Sequence, residues 1–329
     1  MVDLRLSAYS IYTYIWLDKA CFTLLTAYHL KLAAIDIGSN AVRCQISNVL
    51  NQNGNVIFKR VEYIRYAIRF GEDVFSNGYI SEQKIQKFIK LLHAFQLLLD
   101  VHDVDHYMVC ATSAMRTSQN APEILDRVHQ AIGMGIQVID GVAEADLINK
   151  VIVNFLDERN YLHIDVGGGS TEFNIYVNRE KMASQSFEQG SIRHMHGVDS
   201  QELWNNMRVW IEENAKKYHL TRAIGTGGNI NKIFDLSGKA VGKPIFRKQI
   251  EEITQQIAAM TMEQRMTELL LNPDRADVIL PAAEIYLSAM KWAKLESMLV
   301  PAVGLKDGMI HALYEQHHQE RFVISQINS

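Results

Sequence analysis

The sequence predicts an α/β fold in two domains. Short apolar segments alternate with longer ones whose apolar residues recur at helical spacing, the pattern of strands layered against helices. The chain has 329 residues, enough for two domains that each bury a core. Two apolar strands end in the same arrangement, an aspartate, a glycine-bearing turn and a second strand, 129 residues apart, about one domain length.

The first copy is Leu32–Ala33–Ala34–Ile35–Asp36–Ile37–Gly38–Ser39–Asn40, followed by a strand over Val42–Val49. A turn at Asn51–Asn55 leads to a strand over Val56–Tyr66. Ser81 is the N-cap of a helix whose Ile85, Phe88, Ile89, Leu92, Phe95 and Leu99 share one face. Tyr107–Cys110 reads as a buried strand, Pro122–Ile132 as a helix stopped by Gly133, and Ile136–Ile139 as a further strand. Glu144–Phe155, apolar at helical spacing, leads into the second copy, Tyr161–Leu162–His163–Ile164–Asp165–Val166–Gly167–Gly168–Gly169–Ser170–Thr171–Glu172. Phe173–Val177 and Ser184–Phe187 read as strands and Gln201–Tyr218 as an amphipathic helix. A third glycine turn, Gly225–Thr226–Gly227–Gly228–Asn229, follows the short strand Ala223–Ile224 and opens a helix over Asn229–Asp235. Helices over Lys248–Met260, Met262–Leu271 and Ala276–Leu295, a strand over Met298–Val300 and a helix over Lys306–Glu315 complete the pattern. With 5 prolines and no low-complexity linker, the domains are expected to be tightly apposed, meeting near Asp140–Val151.

Composition narrows the class. Charged residues are 21% and hydrophobic ones 48%, as in a soluble globular enzyme. A net charge of −4 argues against a general binder of nucleic acid or anionic membrane, so an anionic substrate must meet its cations locally. Cys21, Cys44 and Cys110 are scattered and odd in number, which reads as reduced thiols in a cytoplasmic protein. In the first thirty residues Asp18 and Lys19 interrupt the apolar stretches Tyr9–Trp16 and Cys21–Leu30. No run there is long enough to span a bilayer, and the segment reads as an extension outside the fold.

The glycine turns carry the chemistry. Consecutive glycines let backbone N–H groups approach an anion with no Cβ in the way, and a strand-end aspartate can hold a hard cation such as Mg²⁺. A helix opening after a third glycine turn adds amides that attract phosphate. Ala111–Thr112–Ser113–Ala114–Met115–Arg116 places hydroxyls and an arginine at the carboxyl end of a strand, where open α/β sheets bind ligands. Arg116 either clamps phosphate oxygens or is a solvated helix-start residue. Glu144, opening a helix after Asp140–Gly141–Val142–Ala143, either stabilises the helix dipole or activates water. The chain has no P-loop, nucleophile elbow or dinucleotide glycine pattern. His102–Asp103 is a lone pair, and His194 and His196 read as surface or packing residues.

These segments, with Gly190, Arg193, Arg275–Ala276–Asp277 and Gly304–Leu305–Lys306–Asp307–Gly308, resemble the exopolyphosphatase / guanosine pentaphosphate phosphohydrolase (Ppx/GppA) family in order and spacing, from Lys31 to about Tyr314. The resemblance implies two actin-like (ribonuclease H-like, sugar-kinase/actin superfamily) domains with the active site in the cleft between them. Residues 31–146 with 305–316 would form domain I and 147–304 domain II, with 1–30 outside. Glu144 would be the catalytic base and Arg116 a phosphate-binding arginine. Asp165 and Glu172, with Asp36 facing them, would form the metal site. Phosphate would lie against Ser39, Asn40, Gly167, Gly168, Gly169, Ser170, Thr171, Gly227 and Gly228. The implied reaction is Mg²⁺-dependent attack of water on a terminal phosphoryl group of inorganic polyphosphate, releasing orthophosphate.

Guanosine pentaphosphate hydrolysis stays open as the alternative, as does a non-catalytic alarmone or nucleotide sensor. Arg43, Arg65, Arg69, Arg193 and Lys232 could serve either substrate. A homodimer is also open; neither nucleic acid nor a membrane is expected as a partner. The chain departs from the family pattern at Val142–Ala143, where acids are usual, at Asn229, and at Lys306–Asp307 in place of Arg-Glu.

Overall fold

Two sheets of one plan carry the chain, seen in a computed structural model that describes residues 30–52 and 55–327, with side chains to 317. Strand β1 (Leu30–Ile37) pairs antiparallel with β2 (Val42–Gln52), which pairs antiparallel with β3 (Asn55–Tyr66). On its other edge β1 runs parallel to β4 (His106–Ala111), and β4 to β5 (Gln137–Val138). In the second sheet β6 (Tyr161–Val166) pairs antiparallel with β7 (Thr171–Val177) and β7 with β8 (Glu180–Phe187). Strand β9 (Arg222–Thr226) runs parallel to β6, β11 (Ser297–Leu299) runs parallel to β9, and β10 (Ile245–Phe246) adds an antiparallel edge. The orders are β3-β2-β1-β4-β5 and β10-β11-β9-β6-β7-β8. Counted along the chain, both sheets run third, second, first, fourth; the first sheet then adds its fifth strand, the second its sixth with the two-residue fifth at the edge, a variation on the actin-like plan the sequence resemblance implies.

The central strands are apolar on both faces because both faces are covered. Ala33, Ile35 and Ile37 of β1 pack against Phe88, Leu92 and Phe95 of the helix Glu82–Val101. Leu32 and Ala34 point the other way, toward Ile148 and Ile152 of the helix Gly141–Ile152 and Met309 and Ile310 of the helix Leu305–Ile327. Tyr161, Tyr176 and Ile224 of the second sheet join that same cluster, so these two helices are wedged between the sheets. They cross closely: a Cβ on Gly308 would overlap the Leu147 carbonyl. A separate core fills the outer face of the second sheet, where Ile164, Phe173 and Ala223 meet Met207, Ile230, Ile250 and Ile285.

Several elements differ from the sequence reading. A short helix, Phe70–Asn77, follows Arg69, which caps it in the left-handed conformation at φ 55°, and another helix spans Ser191–Met195. The expected helix 144–155 starts at Gly141, because the Asp140 carboxylate accepts from the Ala143 amide as N-cap, and ends in a single 3₁₀ turn. The expected helix 276–295 is two, Pro273–Ala276 and Ile279–Trp292. Ser81 does precede its helix, but its hydroxyl bonds Asp73 in place of the helix amides. Cys44 and Cys110 are buried free thiols. No described helix is long and apolar enough to cross a membrane. The expectations for residues 1–29, Cys21 included, lie outside the described residues.

Candidate active site

The two aspartate turns superpose in their bonding. Gly38 N–H donates to the Ala41 carbonyl at 3.1 Å and Gly167 N–H to the Ser170 carbonyl at 2.9 Å, closing equivalent turns after β1 and β6. Each turn lies at the carboxyl end of a central strand, so the strands aim Asp36 and Asp165 at one cavity between the sheets. That cavity, about 400 Å³, is lined by Asp36, Ser39, Asn40, Glu144, Asp165, Gly167, Gly168, Gly169, Ser170, Gly227 and Gly228. All eleven are residues the sequence singles out.

The glycine loop is held from behind. Ser191 and Ile192 amides donate to the Gly167 and Gly168 carbonyls at 2.9 and 2.8 Å, and Arg193 Nε donates to the Gly169 carbonyl at 2.9 Å. With those three carbonyls turned outward, the loop presents its other edge to the cavity, as an anion cradle requires. The approach is close. A Cβ on Gly190 would lie 2.5 Å from the Gly168 carbonyl carbon, and one on Gly168 would lie 3.0 Å from Cβ of Ser39 in the turn after β1. Gly227 takes φ 114°, and a Cβ there would meet the Tyr286 hydroxyl at 2.9 Å and the Val166 carbonyl at 3.1 Å.

Three sequence candidates stay off the cavity wall. Arg116 is exposed and its Nη1 donates to the Ile139 carbonyl at 2.7 Å, one helical turn beyond Thr112 and Ser113, which do line the cavity. The Thr171 hydroxyl donates to the Gln189 carbonyl at 2.5 Å. Glu172 is 2% exposed and accepts from Ser186 Oγ at 2.9 Å and from Ser170. Of the other basic candidates, Arg43 and Arg65 line the cavity. Arg69 is paired with Glu72 and Asp277, and Lys232 is absent from the lining. His194 is neither free surface nor plain packing, since it bridges Asp199 at 2.8 Å and Glu284 at 3.0 Å, anchoring the helix behind the glycine loop.

Residues not singled out complete the outer wall. Arg60 and Tyr63 of β3 join Arg65, Arg275 and Lys306 there. Arg60 reaches this face through a bulge: Ile46 pairs with Glu62 and Ser47 with Arg60, so Val61 is the extra residue and the alternation resets. Burial and the neighbouring charge of Arg65 hold Arg275 below the ordinary arginine range. An added anion there would relieve that crowding.

The inner end is electronegative. Burial, then the charges of Glu172, Asp165 and Asp36, push Glu144 well above the usual carboxylate range, with Arg116 opposing. Burial raises Asp165 to about 6, against a hydrogen bond from Thr226 and the charge of Arg43. Glu172 rises to about 7 through burial and the Asp165 charge. Glu144 Oε2 is buried with no hydrogen-bond partner. An oxygen-only, over-acidic set with an orphaned carboxylate oxygen fits a hard divalent cation. Among the described residues no three His, Cys, Asp or Glu side chains converge as a ligand set. A cation would therefore take one or two carboxylates and complete its shell with water and substrate oxygens, as Mg²⁺ does.

Comparison with known proteins agrees with this geometry. The model of the Ppx/GppA phosphatase family matches residues 49–317. The chain is 22% identical over 303 residues to exopolyphosphatase 1 of Mycobacterium tuberculosis, covering 85% of this chain and 87% of that one. It is 31% identical over 199 residues to a bifunctional 3-dehydroquinate synthase/phosphatase of Fusobacterium nucleatum, a match that takes in 56% of this chain and spans 30% of that longer protein. The crystal structure of an exopolyphosphatase from Cytophaga hutchinsonii shares the fold, with a TM-score of 0.76 at 22% identity over 87% of this chain and 98% of that one.

Proposed function

The chain belongs to the Ppx/GppA phosphatase family and is a phosphoanhydride hydrolase, and we propose that it releases terminal orthophosphate from inorganic polyphosphate with Mg²⁺. One observation carries this reading: an acidic inner end holding Asp36, Glu144 and Asp165 is continuous with a basic wall of Arg60, Arg65, Arg275 and Lys306. A linear polyanion suits that wall, and its terminal phosphoryl group suits the inner end. The lobes in this reading are residues 31–146 with 305–316, and 147–304. The setting is cytoplasmic, consistent with the free thiols of Cys44 and Cys110.

Glu144 is the proposed base. Its unpartnered Oε2 can accept a proton from water, and a raised affinity for protons brings its basicity closer to that needed near neutrality. Asp165 and Asp36 would hold the cation; Glu172, behind the wall, would act through its charge on Glu144. Mg²⁺ would supply charge neutralisation on the phosphoryl oxygens. Ser39, Ser170 and the glycine loop would orient those oxygens for in-line displacement. Arg43, whose Nη1 donates to Asp36 Oδ2 at 2.6 Å, leaves its remaining donors to face substrate.

The exposed Tyr63 ring on the outer wall, 40% accessible, favours a second reading in which a purine stacks there and guanosine pentaphosphate is the substrate. Orthophosphate release by the purified chain with Mg²⁺, from polyphosphates of several lengths and from guanosine pentaphosphate, separates the two. No release from any of these substrates refutes both.

A further inference from the structure

We propose that His163 is a positioning residue for this hydrolysis, its imidazole forming the middle of a one-directional hydrogen-bond chain that aims the Thr226 hydroxyl at Asp165. The inference rests on the hydrolase reading above. A fully buried imidazole in a central strand that is otherwise apolar up to Asp165 costs desolvation, and its neighbours make that cost useful only in one orientation.

The chain crosses the second sheet strand by strand. Ser184 on β8 faces Asn174 on β7, and Asn174 faces His163 on β6 in register. Thr226 on β9 is the register partner of Asp165 itself. Ser184 Oγ donates to Asn174 Oδ1 at 2.8 Å, and the Asn174 amide nitrogen faces the ring. Asn174 Nδ2 then donates to His163 Nδ1 at 3.0 Å, so that nitrogen carries no proton and Nε2 does. Nε2–H donates to Thr226 Oγ1 at 2.8 Å. The threonine hydroxyl, already accepting, keeps its own proton for the carboxylate of Asp165, its register partner, whose proton affinity Thr226 lowers. The Thr226 backbone is fixed as well, because its carbonyl accepts from the buried Tyr286 hydroxyl.

The bonds of the row all run in one sense, from Ser184 toward Asp165. The Asp165 oxygen nearest Thr226 is thereby held as an acceptor, and the carboxylate is presented to the cavity in a fixed orientation. Simple core filling would need no such direction, and an apolar residue of similar volume would serve. Hydrogen-bond partners behind a carboxylate orient it to bind a cation or polarise a substrate.

Two measurements on the full chain test the proposal. Nitrogen-15 NMR of histidine-labelled protein, with His163 assigned by its loss in His163→Gln, should show a bare Nδ1 and a protonated Nε2; a protonated Nδ1 overturns it. In orthophosphate-release assays His163→Leu should lower kcat about tenfold or more and raise the Mg²⁺ concentration for half-maximal rate, with substrate KM little changed. His163→Gln, which keeps a donor at the Nε2 position, should recover most of that loss. Thr226→Val should mirror His163→Leu and Thr226→Ser should recover. Equal losses in the Leu and Gln variants at equal thermal midpoints, or full activity in His163→Leu, would overturn the inference. A wild type that releases no orthophosphate overturns the hydrolase reading instead, and the two failures are distinguishable because the nitrogen spectrum needs no turnover.

Discussion

In the turn after β1, Asp36 faces Arg43 across the strand pair; in the turn after β6, 129 residues on, Asp165 faces Glu172 at the same register position. The backbone plan is shared to the hydrogen bond, yet the first lobe brings its own counter-cation and the second brings a second acid. Asp36, itself buried, is thus paired with a partly exposed arginine. Asp165 instead raises the proton affinity of Glu172, and both raise that of Glu144. The duplicated turn supplies geometry twice, and its seventh residue decides charge. The excess negative charge sits where a divalent cation and a base would act, and the cation Arg43 sits where phosphate oxygens would arrive.

The largest expected effect concerns the acidic side. Glu144→Gln should lower the rate of orthophosphate release by about 10²-fold or more while leaving the thermal midpoint unchanged or raised, because a crowded carboxylate is removed. A variant with wild-type rate removes Glu144 from the mechanism.

The next pair breaks the comparison directly. Arg43→Leu leaves the buried Asp36 carboxylate unpaired and should cost about 3 kcal/mol in urea unfolding. Glu172→Gln, at the equivalent position, should be neutral or stabilising when no divalent cation is present. Equal destabilisation by both would mean the two turns are electrostatically alike.

A third consequence is pH dependence. Asp165 and Glu172 bind protons more tightly folded, at about 6 and about 7, than in an unfolded chain. The native state therefore holds more protons between those values and the ordinary carboxylate range, so stability should fall as pH rises from about 4 to about 7. Mg²⁺ should flatten that slope by favouring the ionised forms. Denaturation midpoints across this range, with and without Mg²⁺, give the sign.

The smallest effect is on the outer wall. Arg60→Ala should raise KM for long polyphosphate a few-fold, more at low salt, with kcat unchanged, since a solvated cation contributes mainly to attraction at a distance. An unchanged KM at low salt would take Arg60 out of the substrate path.

Much of this was legible in the sequence, because the signals were local. The apolar runs before Asp36 and Asp165, the three glycine turns and Gly133 after its helix depend only on neighbouring residues, and helix Gln201–Tyr218 has the expected bounds. Helix Phe70–Asn77 escaped because eight residues with a left-handed arginine before them offer neither a cap nor enough periodicity. Arg116 sits at the expected strand end, but the helix Ser113–Thr117 carries it one turn past the hydroxyls that reach the cavity. Glu172 belongs to the motif, yet it is tied to Ser186 and only its field reaches the cavity. Arg60 depends on a bulge opposite Ile46 and Ser47, and Arg275 arrives beside Gly228 from a helix later in the chain. Neither fact is encoded near the residue concerned. The buried row through His163 is likewise a property of sheet register.

The most direct test of the central claim is hydrolysis of polyphosphate in oxygen-18 water with Mg²⁺ present. Attack of water on the terminal phosphoryl group predicts one labelled oxygen in each released orthophosphate and none in the shortened chain. Label appearing in the chain, or orthophosphate released without label, would contradict it.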